Sequence, residues 1–208
     1  MSTISATAVK ELREMSGAGM MDCKKALTEA SGNLEDAIDI LRKTGIAKAR
    51  KKSDRSAKEG LVFPYIHPGS KLGVLLEINC ETDFVANTDD FKDLCKDISM
   101  HIAASAPMSV TREGISSDFL DREKAIYADQ ARQSGKPENI IEKMTEGRLN
   151  KFYQENVLVE QSFVKDPDKT VNDLITETVA KLGENIIISR FSRFQLGEKV
   201  NNSAPTEN

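Results

Sequence analysis

Two side chains in this sequence are candidates for general acid or base catalysis, the carboxyl group of Asp83 and the imidazole of His101. A general base needs a nucleophile or substrate proton within hydrogen-bond reach, and the segments around these residues supply no obvious partner nucleophile. His101 lies beside the apolar stripe of a predicted helix that includes Ile98 and Ile102, which favours a packed or interfacial histidine. Asp83 is better explained as a polar anchor or a cap. We therefore predict a protein that is not an enzyme.

Motifs for metal, redox and nucleotide chemistry are also missing from the sequence. Cys23, Cys80 and Cys95 are an odd number of cysteines without Cys-x-x-Cys spacing, so neither a zinc site nor a disulfide framework is expected. There is no Gly-x-x-x-x-Gly-Lys-Ser/Thr phosphate loop. The pair Gly17 and Gly19 lacks the third glycine of a dinucleotide fingerprint and follows a helix rather than a strand. We expect no cofactor and no metal in this chain.

The composition is that of an ordinary soluble globular chain of one to two domains. Its 208 residues are 39% hydrophobic and 30% charged, with a formal net charge of -4. Mild acidity without a concentrated basic stripe outside one short segment argues against a dedicated nucleic-acid binder. No run approaches the ~18 consecutive apolar residues of a membrane span, and the start has neither a basic nor an apolar signal region. We expect a cytoplasmic protein without membrane contact.

Three short helices begin the chain. Apolar residues recur at helical spacing in three consecutive stretches, the first of which ends at Met15, and glycine-containing breaks separate the stretches. Asn33 is placed to cap the third helix. These features predict a compact three-helix domain over residues 1–46. Since Met20 and Met21 are neighbours about 100° apart on the second helix, at least one of them should be exposed.

A basic segment, residues 47–60, is the best candidate for a domain boundary. It is dense in lysine and arginine and lacks large apolar residues. Composition favours an exposed helix end that runs into a solvated linker. A patch for RNA or phosphate is the alternative interpretation.

Beyond this linker the pattern predicts an antiparallel sheet. Two runs rich in branched and aromatic residues flank Pro68, and the second run alternates with one apolar face, which indicates a hairpin with one buried side. Pro64 has no amide hydrogen to donate, so the first strand is expected at a sheet edge or at a bulge. The run 184–196 also alternates, and we predict that it is a third strand beside the hairpin.

Helices are predicted to cover this sheet. Thr88 is a plausible N-cap for a helix that ends before Pro107. The stretch 118–153 predicts two helices, with Pro137 at the first position of the second helix. These helices carry few large apolar residues for their length, so we expect a helical hairpin that projects.

The predicted fold class is therefore α+β. A three-helix domain precedes a core domain over 61–198, in which a small three-stranded antiparallel sheet is covered by helices. The polar tail, 199–208, is expected to be disordered.

One segment is left without a role in this fold. In NCETDFVANTDDF, residues 79–91, Phe84 and Val85 stand in a polar and acidic run. The run lies between a strand that ends near Cys80 and a helix that starts near Thr88, so we expect a short loop anchored at both ends. Spacing leaves two alternatives open, since Phe84 either folds back as a plug for its own sheet or projects as an exposed wedge.

Two long motifs, VKELREMSGAGMMDCKKALTEASGNLEDAIDILRKTG and LEINCETDFVANTDDF, stand in this order in the chain. The segments MHIAAS, QSGKPENIIEKMTEGRLNKF and QSFVKDPDKTV follow them. Together they resemble the elongation factor Ts family, the guanine-nucleotide exchange factors of elongation factor Tu. The resemblance covers nearly the whole chain, and motifs of this length in the correct order are specific.

The resemblance implies a ubiquitin-associated type of fold for the N-terminal domain, which would contact the nucleotide domain of elongation factor Tu. The residues implied for this contact are Lys10, Arg13, Ala18, Gly19, Met20 and Met21. The resemblance further implies an exchange motif whose Phe84 is inserted between partner helices near the magnesium of the nucleotide. This motif consists of Thr82, Asp83, Phe84 and Val85. His101 matches a further contact position, and the hairpin 118–153 matches a protruding coiled coil.

In this interpretation GDP, GTP and magnesium are bound by the partner and not by this chain. Longer members of the family carry two related halves in the core domain, whereas this chain has room for one. We therefore expect a homodimer, in which a second copy supplies the second half. Whether Asp83 contacts the partner or only shapes the loop stays open. Two other functions also stay open. The chain could be an adaptor that binds a partner through the three-helix domain regardless of nucleotide, or it could bind RNA through residues 48–58.

Overall fold

The computed structural model describes residues 4–133, 135 and 137–198. The predicted fold class is confirmed, because these residues form helices and a three-stranded antiparallel sheet in an α+β arrangement. The tail 199–208, which we expect to be disordered, lies outside the described residues. Within the described part of the chain, no helix combines the length and the apolar character needed to cross a membrane.

The three N-terminal helices are α1 Ala6–Ser16, α2 Met20–Glu29 and α3 Leu34–Arg50. Asn33 caps α3 as predicted, since its side chain accepts hydrogen bonds from the first-turn amides of Glu35 and Asp36. The helices enclose a small core of their own. Its buried residues are Val9, Leu12, Cys23, Ala26, Leu27 and Ala37.

The two ends of the basic segment 47–60 belong to regular secondary structure. Helix α3 continues to Arg50, and Glu59 and Gly60 already belong to the first strand. Lys48 Nζ lies 2.8 Å from Asp22 Oδ2 of α2. Composition could not indicate this arrangement, because the carboxylate that Lys48 contacts lies on a different helix.

Three strands form the main sheet: β1 Glu59–Ile66, β2 Leu72–Cys80 and β5 Ile187–Gln195. Their order is β1-β2-β5 with antiparallel pairing, so β1 is an edge strand, as Pro64 predicted. The pairing of β1 with β2 requires a glycine at position 60. Its φ is 141°, and a Cβ atom there would lie 2.2 Å from the carbonyl oxygen of Ile78.

Helix α5 Asp89–Ser105 packs on one face of this sheet, and α8 Val171–Leu182 packs against α3 and α5 and contributes to the same core. Thr88 caps α5 as predicted, because its Oγ1 accepts a hydrogen bond from the amide of Phe91. A one-turn helix, α4 Asp83–Ala86, joins β2 to α5. The largest fully buried side chains of this core are Leu76, Ile78, Phe91, Ile98, Ile102 and Leu158.

The predicted helical hairpin consists of α6 Ser117–Arg132 and α7 Glu138–Asn156. Pro137 lies one position earlier than predicted, at the N-cap of α7. The two helices pack chiefly against each other, with a satellite cluster that includes Phe119 and Phe152. A small separate hairpin follows, formed by β3 Ser162–Phe163 and β4 Asp166–Thr170.

Candidate partner-binding site

The segment between β2 and α5 is anchored at both ends as we expected, but it contains a helical turn rather than an irregular loop. The side chain of Thr82 caps the one-turn helix α4, because its Oγ1 accepts a hydrogen bond from the amide of Val85. At the other end, Thr88 Oγ1 donates to the carbonyl of Val85 at 2.7 Å, and Asn87 Nδ2 donates to the carbonyl of Asp83 at 2.9 Å. Side chains therefore satisfy the backbone of this turn at both ends.

The turn divides its side chains between the core and solvent. Ala86 is buried and Val85 is half-buried against the core of the sheet domain. Phe84 points away, with 81% of its surface exposed. Of the two alternatives, the internal plug is therefore wrong, and Phe84 projects into solvent.

Asp83 lies beside Phe84 and is also exposed. Its backbone carbonyl takes part in the turn, but its carboxylate forms no hydrogen bond or ion pair with the described residues. The carboxylate thus does not shape the turn by such a contact, and it is free to meet a partner.

A second exposed group lies at the start of α2. Met20 is 47% exposed and Met21 is 75% exposed, so the prediction that at least one of them faces solvent is confirmed. Gly19 is the N-cap of α2, and Ala18 is half-buried in front of it.

Lys10 and Arg13 are exposed on α1, the preceding helix. Met15 is exposed as well, although helical spacing assigned it to the core stripe. It is a further candidate contact that sequence reasoning missed, because helical spacing places a residue on the apolar stripe without showing how far the neighbouring helices cover that stripe.

His101 is not part of either exposed group. It is fully buried in α5, where its Nε2 lies 2.9 Å from Gln161 Oε1 and its Nδ1 accepts a hydrogen bond from the amide of Val164. This pattern selects the neutral ring with the proton on Nε2. Burial lowers the pKa of His101, and the hydrogen bond to Gln161 opposes this effect. The packed alternative is confirmed, and the imidazole has no exposed surface through which to touch a partner.

The described residues contain no group of three or more histidine, cysteine, aspartate or glutamate side chains that could hold a metal ion. The three cysteines are buried free thiols. Burial raises the pKa of Cys95 to about 12 and also raises that of Cys80. Neither thiol is suited to nucleophilic or redox chemistry, since the reactive species is the thiolate.

The face of the sheet that α5 and α8 leave uncovered is also apolar in part. We call it the outer sheet face and define it by Val62 and Ile66 of β1, Leu75 of β2 and Phe194 of β5, all of which are exposed. Ile66 and Phe194 flank Gly73 in the register of the three strands. Four large apolar side chains on one flat face are more than scattered surface residues, and such patches mark interaction surfaces.

Comparison with known proteins gives one consistent match. A family model described as Elongation factor TS matches residues 2–198. Elongation factor Ts of Thermoanaerobacter sp. (strain X514) is 58% identical over 201 residues, which cover 97% of this chain and 98% of that protein. Elongation factor Ts of Geobacter sulfurreducens is 59% identical over 196 residues, covering 94% and 91%. That of Fervidobacterium nodosum is 58% identical over 195 residues, covering 94% and 99%.

Proposed function

The chain belongs to the elongation factor Ts family, and we propose that it releases GDP from elongation factor Tu by inserting Phe84 near the partner's magnesium and nucleotide. As a member of this family it is a nucleotide-exchange factor of translation elongation, and it acts by binding rather than by bond chemistry. Its place of action is the cytoplasm, where elongation takes place. GDP, GTP and magnesium are ligands of the partner.

The observation that carries this proposal is the exposure of Phe84 on a turn fixed at both ends. Burial of a phenylalanine side chain stabilises a protein by roughly 1.5 to 3 kcal/mol. In the free chain the Phe84 side chain is mostly exposed, so it gains little of this stabilisation. The neighbouring residue, Val85, does pack against the core of the sheet domain. A partner that buries Phe84 gains this free energy at the interface.

The mechanism is a linkage between two ligands of elongation factor Tu. If this chain binds the nucleotide-free partner more tightly than the GDP-bound one, GDP must bind the complex more weakly by the same factor. Insertion of Phe84 is possible only where the helices around the magnesium have moved apart, so its burial favours the nucleotide-free form. Since each ~1.4 kcal/mol is a factor of ten, burial of Phe84 is expected to accelerate GDP release about 10- to 100-fold.

The N-terminal domain supplies a second contact in this proposal. Met20 and Met21 offer exposed thioether side chains that adapt to irregular apolar surfaces. Lys10 and Arg13 add positive charge on the neighbouring helix α1. These residues hold the nucleotide domain while the exchange motif, Thr82, Asp83, Phe84 and Val85, acts on the magnesium side.

The test is stopped-flow release of a fluorescent GDP analogue from purified elongation factor Tu. Release is measured with excess unlabelled GDP at increasing concentrations of this chain, and chelation of magnesium serves as a positive control for fast release. We expect a rate that rises with the concentration of this chain and then saturates. A rate equal to that without the chain at every concentration would exclude the proposed function.

We also propose that the chain is a homodimer through its outer sheet face. This proposal is supported by the exposed apolar residues of that face and by the presence of one three-stranded sheet among the described residues. Light scattering should give a mass near twice the 23.0 kDa of one chain, and Phe194→Lys should shift it to one chain. Ile126→Lys, an exposed position on α6, is the control. A monomeric wild-type protein at micromolar concentration would exclude the dimer.

A further inference from the structure

A carboxylate from a distant part of the chain holds the turn that presents Phe84. Helix α8 ends at Leu182, its C-cap Gly183 has a left-handed φ of 82°, and the next residue is Glu184. Both carboxylate oxygens of Glu184 accept hydrogen bonds from Thr82. The Thr82 amide donates to Oε2 at 2.9 Å and the Thr82 hydroxyl donates to Oε1 at 2.7 Å. The two residues are 102 positions apart in sequence.

Thr82 is the residue through which this contact reaches the exchange motif. Its hydroxyl is also the cap of α4, because Oγ1 accepts the hydrogen bond from the amide of Val85 at 3.4 Å. Since the hydroxyl proton is donated to Glu184, a lone pair of Oγ1 is left to face the amide of Val85. The Glu184 contact therefore sets the rotamer that caps the turn.

A four-residue helix cannot hold this geometry alone. Formation of a first helical turn fixes several dihedral angles for one hydrogen bond and is unfavourable in isolation. The side chain of Phe84 adds little support, because it is 81% exposed. The direction of Phe84 thus depends on the groups that fix the two ends of α4, and Glu184 is the charged group among them.

The neighbouring residue extends the same contact toward the N-terminal domain. Asn185 is buried, its amide donates to Glu81 Oε1 at 2.7 Å, and its side-chain Nδ2 donates to the carbonyls of Ser53 and Arg55. Residues 184 and 185 therefore join the exchange turn to the segment that follows α3. The turn that carries Phe84 is thus connected by hydrogen bonds to the segment between α3 and β1.

We propose that Glu184 is a positioning residue for nucleotide exchange, which acts through Thr82 to hold Phe84 in its productive direction. This inference rests on the proposed exchange function. Loss of the Glu184 contact lets the turn adopt other orientations, and the maximal rate of GDP release falls with the fraction of chains that present Phe84 correctly. Because two charge-assisted hydrogen bonds are lost together, we expect a decrease on the order of tenfold.

The test compares Glu184→Ala with Glu184→Gln in the GDP-release assay. Alanine removes both hydrogen bonds, whereas the glutamine amide can accept from the Thr82 amide with its oxygen and donate to the Thr82 hydroxyl with its nitrogen. We expect Glu184→Ala to lower the maximal rate about tenfold with little change in the half-saturating concentration. Glu184→Gln should restore most of the rate.

A matched control separates this effect from the general loss of a paired glutamate. Glu160 also uses both carboxylate oxygens, which accept from Arg112 Nε and Nη2 at 2.6 Å each, and it lies near the base of the helical hairpin. Glu160→Ala should leave the maximal rate unchanged. Hydrogen exchange should show faster exchange of amides 82–88 in Glu184→Ala, with unchanged protection in the middle of α5.

Coupling to Phe84 distinguishes positioning from a merely structural role. In a Phe84→Ala background, Glu184→Ala should cause no further decrease of the maximal rate, because no wedge remains to be positioned. If wild-type chain accelerates GDP release and Glu184→Ala does so equally, the positioning role is overturned while the exchange function stands. If wild-type chain itself has no effect, the exchange function is excluded.

A second pair of variants serves if Glu184→Ala does not fold. Glu184→Asp keeps the charge, but its side chain is one methylene shorter and does not reach both the amide and the hydroxyl of Thr82 in the same backbone position. Glu160→Asp is the matched control. We expect Glu184→Asp to slow release and Glu160→Asp to leave the rate unchanged, and a wild-type rate for Glu184→Asp would overturn the inference.

Discussion

Replacing Phe84 by alanine should separate the stability of the chain from its activity. The side chain is 81% exposed in the free chain, so about four fifths of its burial free energy is available to a partner. Four fifths of roughly 1.5 to 3 kcal/mol is about 1.2 to 2.4 kcal/mol. Since each ~1.4 kcal/mol is a factor of ten, Phe84→Ala is expected to lower the maximal rate of GDP release about 7- to 50-fold.

The same exposure predicts little change in folding. Surface substitutions away from special backbone positions usually change stability by less than about 0.5 kcal/mol, so the urea midpoint of Phe84→Ala should match that of the wild type. Phe91→Ala is the contrasting variant, since Phe91 is fully buried seven residues along the same segment. It should cost about 3 to 5 kcal/mol of unfolding free energy.

The assay is stopped-flow release of the GDP analogue at saturating chain, with urea unfolding measured on the same preparations. Met108→Ala, which truncates an exposed side chain outside both contact groups, is the control for general surface effects and should release GDP at the wild-type rate. Unchanged release by Phe84→Ala under saturating conditions would refute the wedge mechanism. A large loss of stability in Phe84→Ala would refute the exposure on which the magnitude depends.

Three other properties of the chain follow from burial and exposure. Met21→Ser should raise the half-saturating concentration in the release assay several-fold without changing the urea midpoint, because Met21 is 75% exposed; an unchanged concentration would remove it from the contact. Burial lowers the pKa of His101 below its ordinary 6.5, so the unfolded chain takes up a proton that the folded chain does not. The contribution of neutral His101 to the unfolding free energy should therefore be complete above about pH 6.5. It should decrease as the pH falls from 6.5 toward the pKa of His101 in the folded chain. In urea unfolding at several pH values, His101→Gln should reduce the dependence of the unfolding free energy on pH. An equal pH dependence in the wild type and the variant would contradict this role of His101. The three buried cysteines, with the pKa of Cys95 raised to about 12, should resist a thiol reagent in the native chain and all react in guanidinium chloride; rapid native labelling would contradict their burial.

Features that depend on local patterns could be predicted from the sequence. The cap at Thr88, the alternating face of β2 and the edge position of β1 each follow from residues within one element or its neighbour. The exposure of at least one of Met20 and Met21 followed from helix geometry, because two adjacent residues cannot share one narrow stripe.

The direction of Phe84 could not be predicted in this way. It depends on a turn whose cap is held by Glu184, and this residue is brought to Thr82 only by the packing of α8 and the pairing of β5 with β2. Periodicity within a window cannot detect a contact across 102 residues. The contacts of the basic segment are equally distant in sequence, since Asn185 Nδ2 donates to the carbonyls of Ser53 and Arg55.

The burial of His101 marks a limit of the resemblance. The family motif implied a contact position there, and the structure places the ring between α5 and the segment around Gln161 with no exposed surface. A role for His101 in exchange would therefore act through the packing of α5, the helix that follows the exchange turn.

The central claim, exchange by differential binding, is tested most directly by two pairs of affinities. Calorimetry gives the affinity of this chain for GDP-bound and for nucleotide-free elongation factor Tu, and GDP titrations give the affinity of GDP with and without saturating chain. Reciprocity predicts that the two ratios are equal, and the Phe84 contact alone predicts a ratio of about ten or more. Equal affinity of this chain for the two forms of the partner would contradict the account.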